Sequence, residues 1–362
     1  MIKFLGKSGN LFDATYYRNK TVLVTGHTGF KGSWLCHLLN MCKANVCGYS
    51  LNPPTDPSLY EISKVGSIVQ EEIGDITDFE KLYSFFKKIQ PDVVIHLAAQ
   101  PLVRESYIHP SETYMTNVIG TVNIMECLRL TNCTDSFLNV TTDKVYDNIE
   151  VDKYYKESDS LDGFDPYSNS KSCSELVTHS YKRSFFNDSD CKISTARAGN
   201  VIGGGDFSKD RIIPDCVRAA LSNRKIILRS PNSIRPYQHV LEPLTAYLTI
   251  IAEQSKNPNK SGSYNVGPRK EDCISTGELA SLFCKYWSNS VNWISQECDG
   301  PHEANFLKLD STLIKKTFGF EPVWHIEDAV CKTVEWTKAW VAGENISDIM
   351  ESQISEYFGG ML

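Results

Sequence analysis

The chain has 362 residues, 41% of them hydrophobic and 22% charged, with a net charge of −7 and a pI near 5.7. That length suits one large α/β domain or two lobes, and the acidic balance argues against nucleic acid or an anionic membrane as the main partner. No apolar run approaches the roughly 18 residues of a membrane span. Met1–Asn10 carry Lys3 and Lys7 around Phe4 and Leu5 without an apolar core of signal-peptide length, so a cytoplasmic location is the default expectation. The twelve cysteines contain no C-x-x-C, and the eight histidines no H-x-x-x-H. Reduced structural thiols are predicted, with no metal site.

Residues 1–19 read as an irregular lead-in, with Phe12, Tyr16 and Tyr17 packing onto the first strand. Lys20–Thr25 is a short buried strand, followed by a glycine-punctuated turn, Gly26–Gly32, and a helix from about Ser33 to Met41. Asn45–Ser50 and about Ile68–Ile73 are further strands. Asp78 caps a helix running to Ile89, and Asp92–Leu97 is strand four. A long helix fits Ser111–Leu130, Ser136–Thr142 is strand five, and a helix runs from Tyr167 to about Phe186 before a strand at Lys192–Arg197. This alternation predicts an α/β fold of Rossmann type, a doubly wound parallel sheet.

After Ala198 the rhythm loosens into loops at Gly203–Asp206 and Arg235–Pro236. Ser275-Thr-Gly-Glu278 is a capping box, and Asp310 is placed to cap a shorter helix. The expected division is a dinucleotide-binding domain over 1–197, rejoined by about 236–262. A smaller α+β substrate lobe takes 198–235 and 263–345, and 346–362 is a tail.

A strand, then Gly26-x-x-Gly29-x-x-Gly32, then a helix, is the context in which a glycine loop offers backbone N–H groups to a pyrophosphate. An ordinary strand–helix turn is the plainer alternative. Thr28, Phe30 and Lys31 fill the loop, and His27 is bulky for its place. A Tyr and a Lys four apart share a helical face, where the ammonium lowers the phenol's pKa for proton transfer. That spacing occurs at Tyr16/Lys20, Tyr60/Lys64, Tyr83/Lys87 and Tyr167/Lys171. Only the last opens a helix after strand five. Thr142-Asp143-Lys144 then places a hydroxyl, an acid and a base at that strand's end, unless the two charges are merely solvated. Strict strand alternation would send Asp143 and Lys144 to opposite faces, so the chain must bend there.

The glycine spacing and the Tyr167/Lys171 pair resemble the extended short-chain dehydrogenase/reductase family. Within it, the chain resembles the CDP-glucose 4,6-dehydratases through Gly26–Trp34, Ala99–Arg104, Thr141–Tyr146, Arg197–Asp206 and Arg235–Pro243. The resemblance implies NAD as cofactor, held by the glycine loop, by Asp75 and Ile76, and by Leu97, Ala98 and Ala99, with Tyr167 and Lys171. Asn117 matches the family's structural Asn. Many NAD-specific members end strand two with an acid, but here Tyr49-Ser50-Leu51 stands there, so NAD over NADP is not settled locally.

The substrate implied is CDP-glucose, with Asn200 and Arg235 near the diphosphate and nucleotide and Gln100, Arg104, Asp206, Arg211 and His239 as further contacts. The implied reaction is oxidation at C4, loss of water across C5 and C6, and reduction at C6. Tyr167 takes the 4-hydroxyl proton, Thr142 positions that hydroxyl, Lys144 removes the C5 proton and Asp143 protonates the leaving hydroxyl. The acid and base roles of the last two are open to exchange. A homodimer or tetramer through the two long helices, and a place in O-antigen deoxysugar synthesis, are the family's usual properties. The rivals are another sugar-nucleotide 4,6-dehydratase, a 4-epimerase or a reductase of the same family, and, from another class, a non-catalytic NAD-sensing protein.

Overall fold

Seven parallel strands carry the architecture of the computed structural model, which describes residues 4–5, 11–149, 151–288, 291–296 and 307–362. Most of Met1–Asn10 and the cysteine at 298 lie outside the described residues. In chain order the strands are β1 (Thr21–Thr25), β2 (Asn45–Ser50), β3 (Gln70–Ile73), β4 (Val93–His96), β5 (Ser136–Thr142), β6 (Lys192–Ala198) and β7 (Ser263–Val266). Their order across the sheet is 7-6-5-4-1-2-3. This is the doubly wound arrangement the sequence predicts, with its switch point between β1 and β4. Val22–Val24 and Val93–Ile95 are wholly buried, as strands covered on both faces must be.

One face is covered by α1 (Phe30–Met41), with Trp34, Leu35, Leu38 and Leu39 in the core as its apolar stripe requires. The other is covered by α2 (Phe79–Ile89), where Asp78 accepts from Lys81 N at 3.1 Å as the cap. After the short α3 (Val103–Ile108) comes a long rod, α4, made of Pro110–Tyr114, a π turn at Met115–Ile119 and Gly120–Thr131. The expected single helix is thus widened in its middle, at Asn117. Beside it runs α5 (Pro166–Phe185), opened by Pro166 and by Asp165 Oδ1 accepting from Ser168 N at 2.9 Å.

A separate cluster is formed by α6 (Ile212–Leu221), α8 (Thr276–Trp287) and α10 (Ile326–Val341), packed through Val217, Leu279, Phe283, Val330 and Val334. The capping box at Ser275 and Glu278 is present. Asp310 accepts from Thr312 N at 2.9 Å at the start of α9 (Thr312–Phe318), although Ser311 holds the cap position.

Three segments depart from the expectation. Leu241–Lys256 forms α7, a helix buried under the sheet. Ser263–Val266, expected in the lobe, is the sheet's edge strand β7, paired to β6. The expected tail contains α11 (Ile346–Tyr357), whose Ile346, Met350 and Ile354 join the core beside α1. The lead-in is tied to α7 and to the C-terminal end. Tyr17 donates to Leu248 O at 2.5 Å, and Phe12 stacks on Phe358 with ring centres 4.9 Å apart. No helix among the described residues is long and apolar enough to cross a membrane.

Candidate active site

Gly26 turns the chain at φ +76°, and a Cβ there would come within 2.8 Å of Ala98 N. A Cβ on Gly32 would land on the Gly26 carbonyl oxygen, 2.6 Å from His27 Cα. Backbone packs on backbone at both places, so only glycine fits. Gly29 is the N-cap of α1 and no side chain caps it, which leaves the first N–H groups of the helix for an anion. This cradle, at the switch point of the sheet, fits a dinucleotide pyrophosphate.

His27 does not crowd the cradle. It is buried, with Nε2 2.7 Å from Glu71 Oε2, and Glu71 Oε1 accepts from Tyr60 OH at 2.7 Å. Gly48 of β2 makes the room, since a Cβ there would stand 2.5 Å from the imidazole. The bulk of His27 noted in the sequence is therefore taken up beneath the loop, against Gly48 and Glu71. Thr28 Oγ1 donates to Leu51 O at 2.9 Å and lies 2.8 Å from Ser50 Oγ. Asp75 Oδ1 accepts from Thr77 N and Oγ1, both at 2.8 Å, and Ile76 is buried against Gly120. Leu97 and Ala98 are fastened to Thr25, by Leu97 N to its carbonyl and Ala98 N to its hydroxyl at 3.2 Å each. Ala99 follows, half-buried, at the same strand end.

At the end of β5 the chain leaves strand geometry. Asp143–Val145 forms a 3-10 turn, which is how Thr142, Asp143 and Lys144 escape strict alternation. Thr142 Oγ1 donates to Asp143 Oδ1 at 3.0 Å and accepts from Lys144 N at 3.4 Å. Asp143 is 2% exposed, and its Oδ2 has no hydrogen-bond partner among the described residues. A Cβ on Gly199 would stand 3.2 Å from that oxygen. Burial raises the Asp143 pKa, with Lys144, Thr142, Arg235 and Lys31 pulling the other way.

Tyr167 lies against the same turn, where the Thr142 hydroxyl acts on its phenol. The expected lowering of this phenol by Lys171 is not found. Burial pushes Tyr167 up to about 12, with Thr142 and then Arg211 opposing. Lys171 is 4% exposed and donates from Nζ to Val140 O at 3.2 Å; burial brings it down to about 8, against the pull of Glu175. The other Tyr–Lys pairs are elsewhere: Lys87 rides over the Tyr83 ring and Lys20 over Tyr16, while Tyr60 is tied to Glu71. Asn117 joins the two halves of the site. Its Nδ2 donates to Gln100 O (3.1 Å) and Ser170 Oγ (2.8 Å), and its Oδ1 accepts from Gln100 N at 2.9 Å. The π turn sets it there, as such turns often do at functional positions.

Lys31, in the first turn of α1, is brought among the catalytic groups. Burial pushes it down to about 8, and it feels Arg211, Lys171, Asp143 and Asp206. Asp206 Oδ2 accepts from Arg211 at 3.0 Å, and Arg211 reaches Tyr167 electrostatically. Arg235 is 7% exposed, donates to Ile234 O at 3.0 Å and acts on Asp143. Asn200 is half-buried, its carbonyl accepting from Gln238 N. Arg104 pairs with Asp210 at 3.6 Å. Gln100 folds back on its own loop, bonding Leu102 N and O and Thr113.

His239 is a correction. It is fully buried between Trp34 and Trp324, with ring centres 5.9 and 4.8 Å away, and burial drives its pKa down to about 3. It is a core residue and cannot meet a substrate. Sequence reasoning passed over Gly199, whose missing side chain leaves room at Asp143; a glycine between a strand end and a loop was the available signal. It also passed over Glu175.

A family model described as GDP-mannose 4,6 dehydratase matches residues 23–333. The chain belongs to that family. It is 42% identical over 354 residues to the CDP-glucose 4,6-dehydratase of Salmonella typhimurium, a match spanning 96% of this chain and 98% of that one. The dTDP-glucose 4,6-dehydratase 1 of Escherichia coli is 27% identical over 373 residues, 94% and 99% of the two chains. Among solved structures, dTDP-glucose 4,6-dehydratase from Bacillus anthracis in complex with NAD has a TM-score of 0.74 at 21% identity, covering 88% of this chain and 96% of that one. An epimerase of Methanothermobacter thermautotrophicus reaches 0.78 at 21% identity, with 91% and 96% covered. At such identities these structures speak for the fold, which dehydratases and epimerases share.

Proposed function

We propose that this chain is an NAD-dependent CDP-glucose 4,6-dehydratase, a hydro-lyase yielding CDP-4-keto-6-deoxyglucose and water. The observation that carries it is the turn at Asp143–Val145, where a buried acid and a lysine follow the threonine that acts on Tyr167. A 4-epimerase has no water to expel and no use for that pair. Identity to the Salmonella relative over nearly the whole chain supports CDP-glucose as the substrate.

Gly26, Gly29 and Gly32, with the start of α1, would hold the NAD pyrophosphate, and Tyr167 and Lys171 would serve its nicotinamide. NAD, when bound, supplies the oxidation at C4 and the compensating reduction at C6. Tyr167 takes the proton of the 4-hydroxyl, which Thr142 orients. The ketone acidifies C5–H, and Lys144 removes that proton and, after exchange with solvent, protonates C5 again. Asp143, whose protonated form burial favours, gives its proton to the departing C6 hydroxyl, which leaves as water. Over the cycle, the proton taken by Tyr167 replaces the one given by Asp143.

The dinucleotide domain in this reading is 1–197 with 236–266, extended by β7, and the remainder is the substrate lobe. Dimerisation through α4 and α5 is supported by their exposed Met115, Ile119, Leu176 and Phe185. A cytoplasmic location and a deoxysugar for surface polysaccharide such as O-antigen accord with a nucleotide-sugar substrate. Deuterium at C4 of CDP-glucose tests the reading: it reappears at C6 of the product, and its loss to solvent would reject the internal return.

A further inference from the structure

Behind the catalytic turn lies a buried ion pair that the mechanism above leaves unused. Glu175 and Arg197 are 0% and 1% exposed and bond in parallel, Nε to Oε1 at 3.1 Å and Nη2 to Oε2 at 3.0 Å. The same carboxylate accepts from Thr141 Oγ1 at 2.5 Å and Thr195 Oγ1 at 2.7 Å, and His179 Nε2 lies 3.5 Å from it. Arg197 Nη1 also donates to Tyr146 OH (2.9 Å) and Glu157 O (3.1 Å), and Tyr146 OH donates to Asn265 Oδ1 at 2.6 Å. One pair thus fastens β5 just before Thr142, the chain just after Val145, helix α5, and strands β6 and β7.

Glu175 is also one helical turn beyond Lys171, on the same face of α5. An ammonium buried against a single carbonyl is driven toward its neutral form, and a fixed carboxylate a turn away opposes that. The other charges bearing on Lys171 are Lys31 from α1 and His96 from β4. The first is repulsive, and the second is held neutral by burial at about 3. Glu175 is therefore the group that favours the charged form, while its ion pair with Arg197 limits its field.

We propose that Glu175, clamped by Arg197, is a positioning residue for this reaction: it keeps Lys171 an ammonium beside Tyr167 while binding the Thr141–Tyr146 turn to α5. The kinetic part rests on the dehydratase reading; the coupling of Glu175 to Lys171 does not. The two substitutions carry opposite signs, which a merely structural role would not produce. Glu175→Gln leaves a lone cation near Lys171, and Arg197→Gln leaves a lone carboxylate.

In the holoenzyme, carbon-13 NMR of the lysine Cε follows the titration of Lys171, assigned by its loss in Lys171→Arg, alongside the pH profile of kcat. Glu175→Gln is expected to move the Lys171 midpoint and the alkaline limb down by about one pH unit, and Arg197→Gln to move both up. Glu175→Asp, which keeps the charge, returns the midpoint toward its original position. Shifts of the same sign, or an unmoved midpoint with only lowered stability, overturn the proposal. Where one variant fails to fold, the direction of the other decides. If CDP-glucose is not turned over while the midpoints move as stated, the dehydratase reading falls and the coupling stands.

Discussion

Thr142 donates its hydroxyl to Asp143 at 3.0 Å just where β5 gives way to a 3-10 turn. One oxygen of the carboxyl is thereby fixed, and the other faces the space left by Gly199 without a partner. A buried carboxyl in that setting favours its protonated form, which is the form that can expel a hydroxyl as water.

Asp143→Asn keeps the shape and an acceptor for Thr142 but has no proton to give at neutral pH. Its kcat is expected to fall roughly a hundredfold or more, with KM little changed. The melting temperature should hold or rise, since an ionisable group leaves a buried site. Steady-state rates beside a thermal melt check this, and near-normal turnover would remove Asp143 from the acid role.

Lys144→Ala separates the steps. Oxidation at C4 is expected to survive, because Tyr167, Thr142 and Lys171 are untouched, while water loss stalls. In heavy water the variant should release no product carrying solvent deuterium at C5, as the unaltered enzyme does. Turnover at the ordinary rate would contradict the assignment.

Gly32→Ala addresses the cradle. Its Cβ would land on the Gly26 carbonyl, backbone that cannot rotate away. Bound NAD per chain, measured after desalting, should drop by at least tenfold while the far-ultraviolet spectrum of the fold is kept. Retention of a full complement would mean the cofactor does not lie on this turn.

Glu242 gives a pH dependence away from the chemistry. It is fully buried on α7, accepts from Val323 N (3.0 Å), Trp324 N (2.7 Å) and Tyr357 OH (2.7 Å), and burial lifts its pKa from 4.5 to about 7. The folded protein then holds this proton more tightly than the unfolded chain. Its contribution is complete below about 4.5, declines as pH rises toward about 7, and is flat above. Glu242→Gln should lose that decline, so its melting temperature gains on the original protein across that window. Parallel curves would show that Glu242 does not titrate there.

Strands β1, β4 and β5 were legible as short apolar or β-branched runs closed by glycine or polar residues, whereas β3 carries Gln70, Glu71 and Glu72 and was marked only by the Ile68-Val69 before it and Ile73 at its end. The 20-residue α5 was legible from its Asp165–Pro166 start. Helix α7 was not, because it is buried nearly all round and so lacks the one-sided stripe that marks a surface helix. Strand β7, four residues long, carries too few positions for a pattern. Thr142, Asp143, Tyr167 and Lys171, to which the proposal gives the chemistry, were singled out through their place after strand five. His239 was misassigned because its neighbours Trp34 and Trp324 come from distant parts of the chain, which only the packing brings together. Glu175 stayed hidden because its partner Arg197 lies 22 residues on, in β6, and only the packing of α5 on the sheet brings the two within 3.0 Å.

The most direct measurement is mass spectrometry of the products after incubation with NAD and, separately, CDP-, dTDP-, GDP- and UDP-glucose. CDP-glucose is expected to yield a nucleotide sugar lighter by one water, at a rate well above the other three. A product of unchanged mass, or no product from CDP-glucose, would contradict the account.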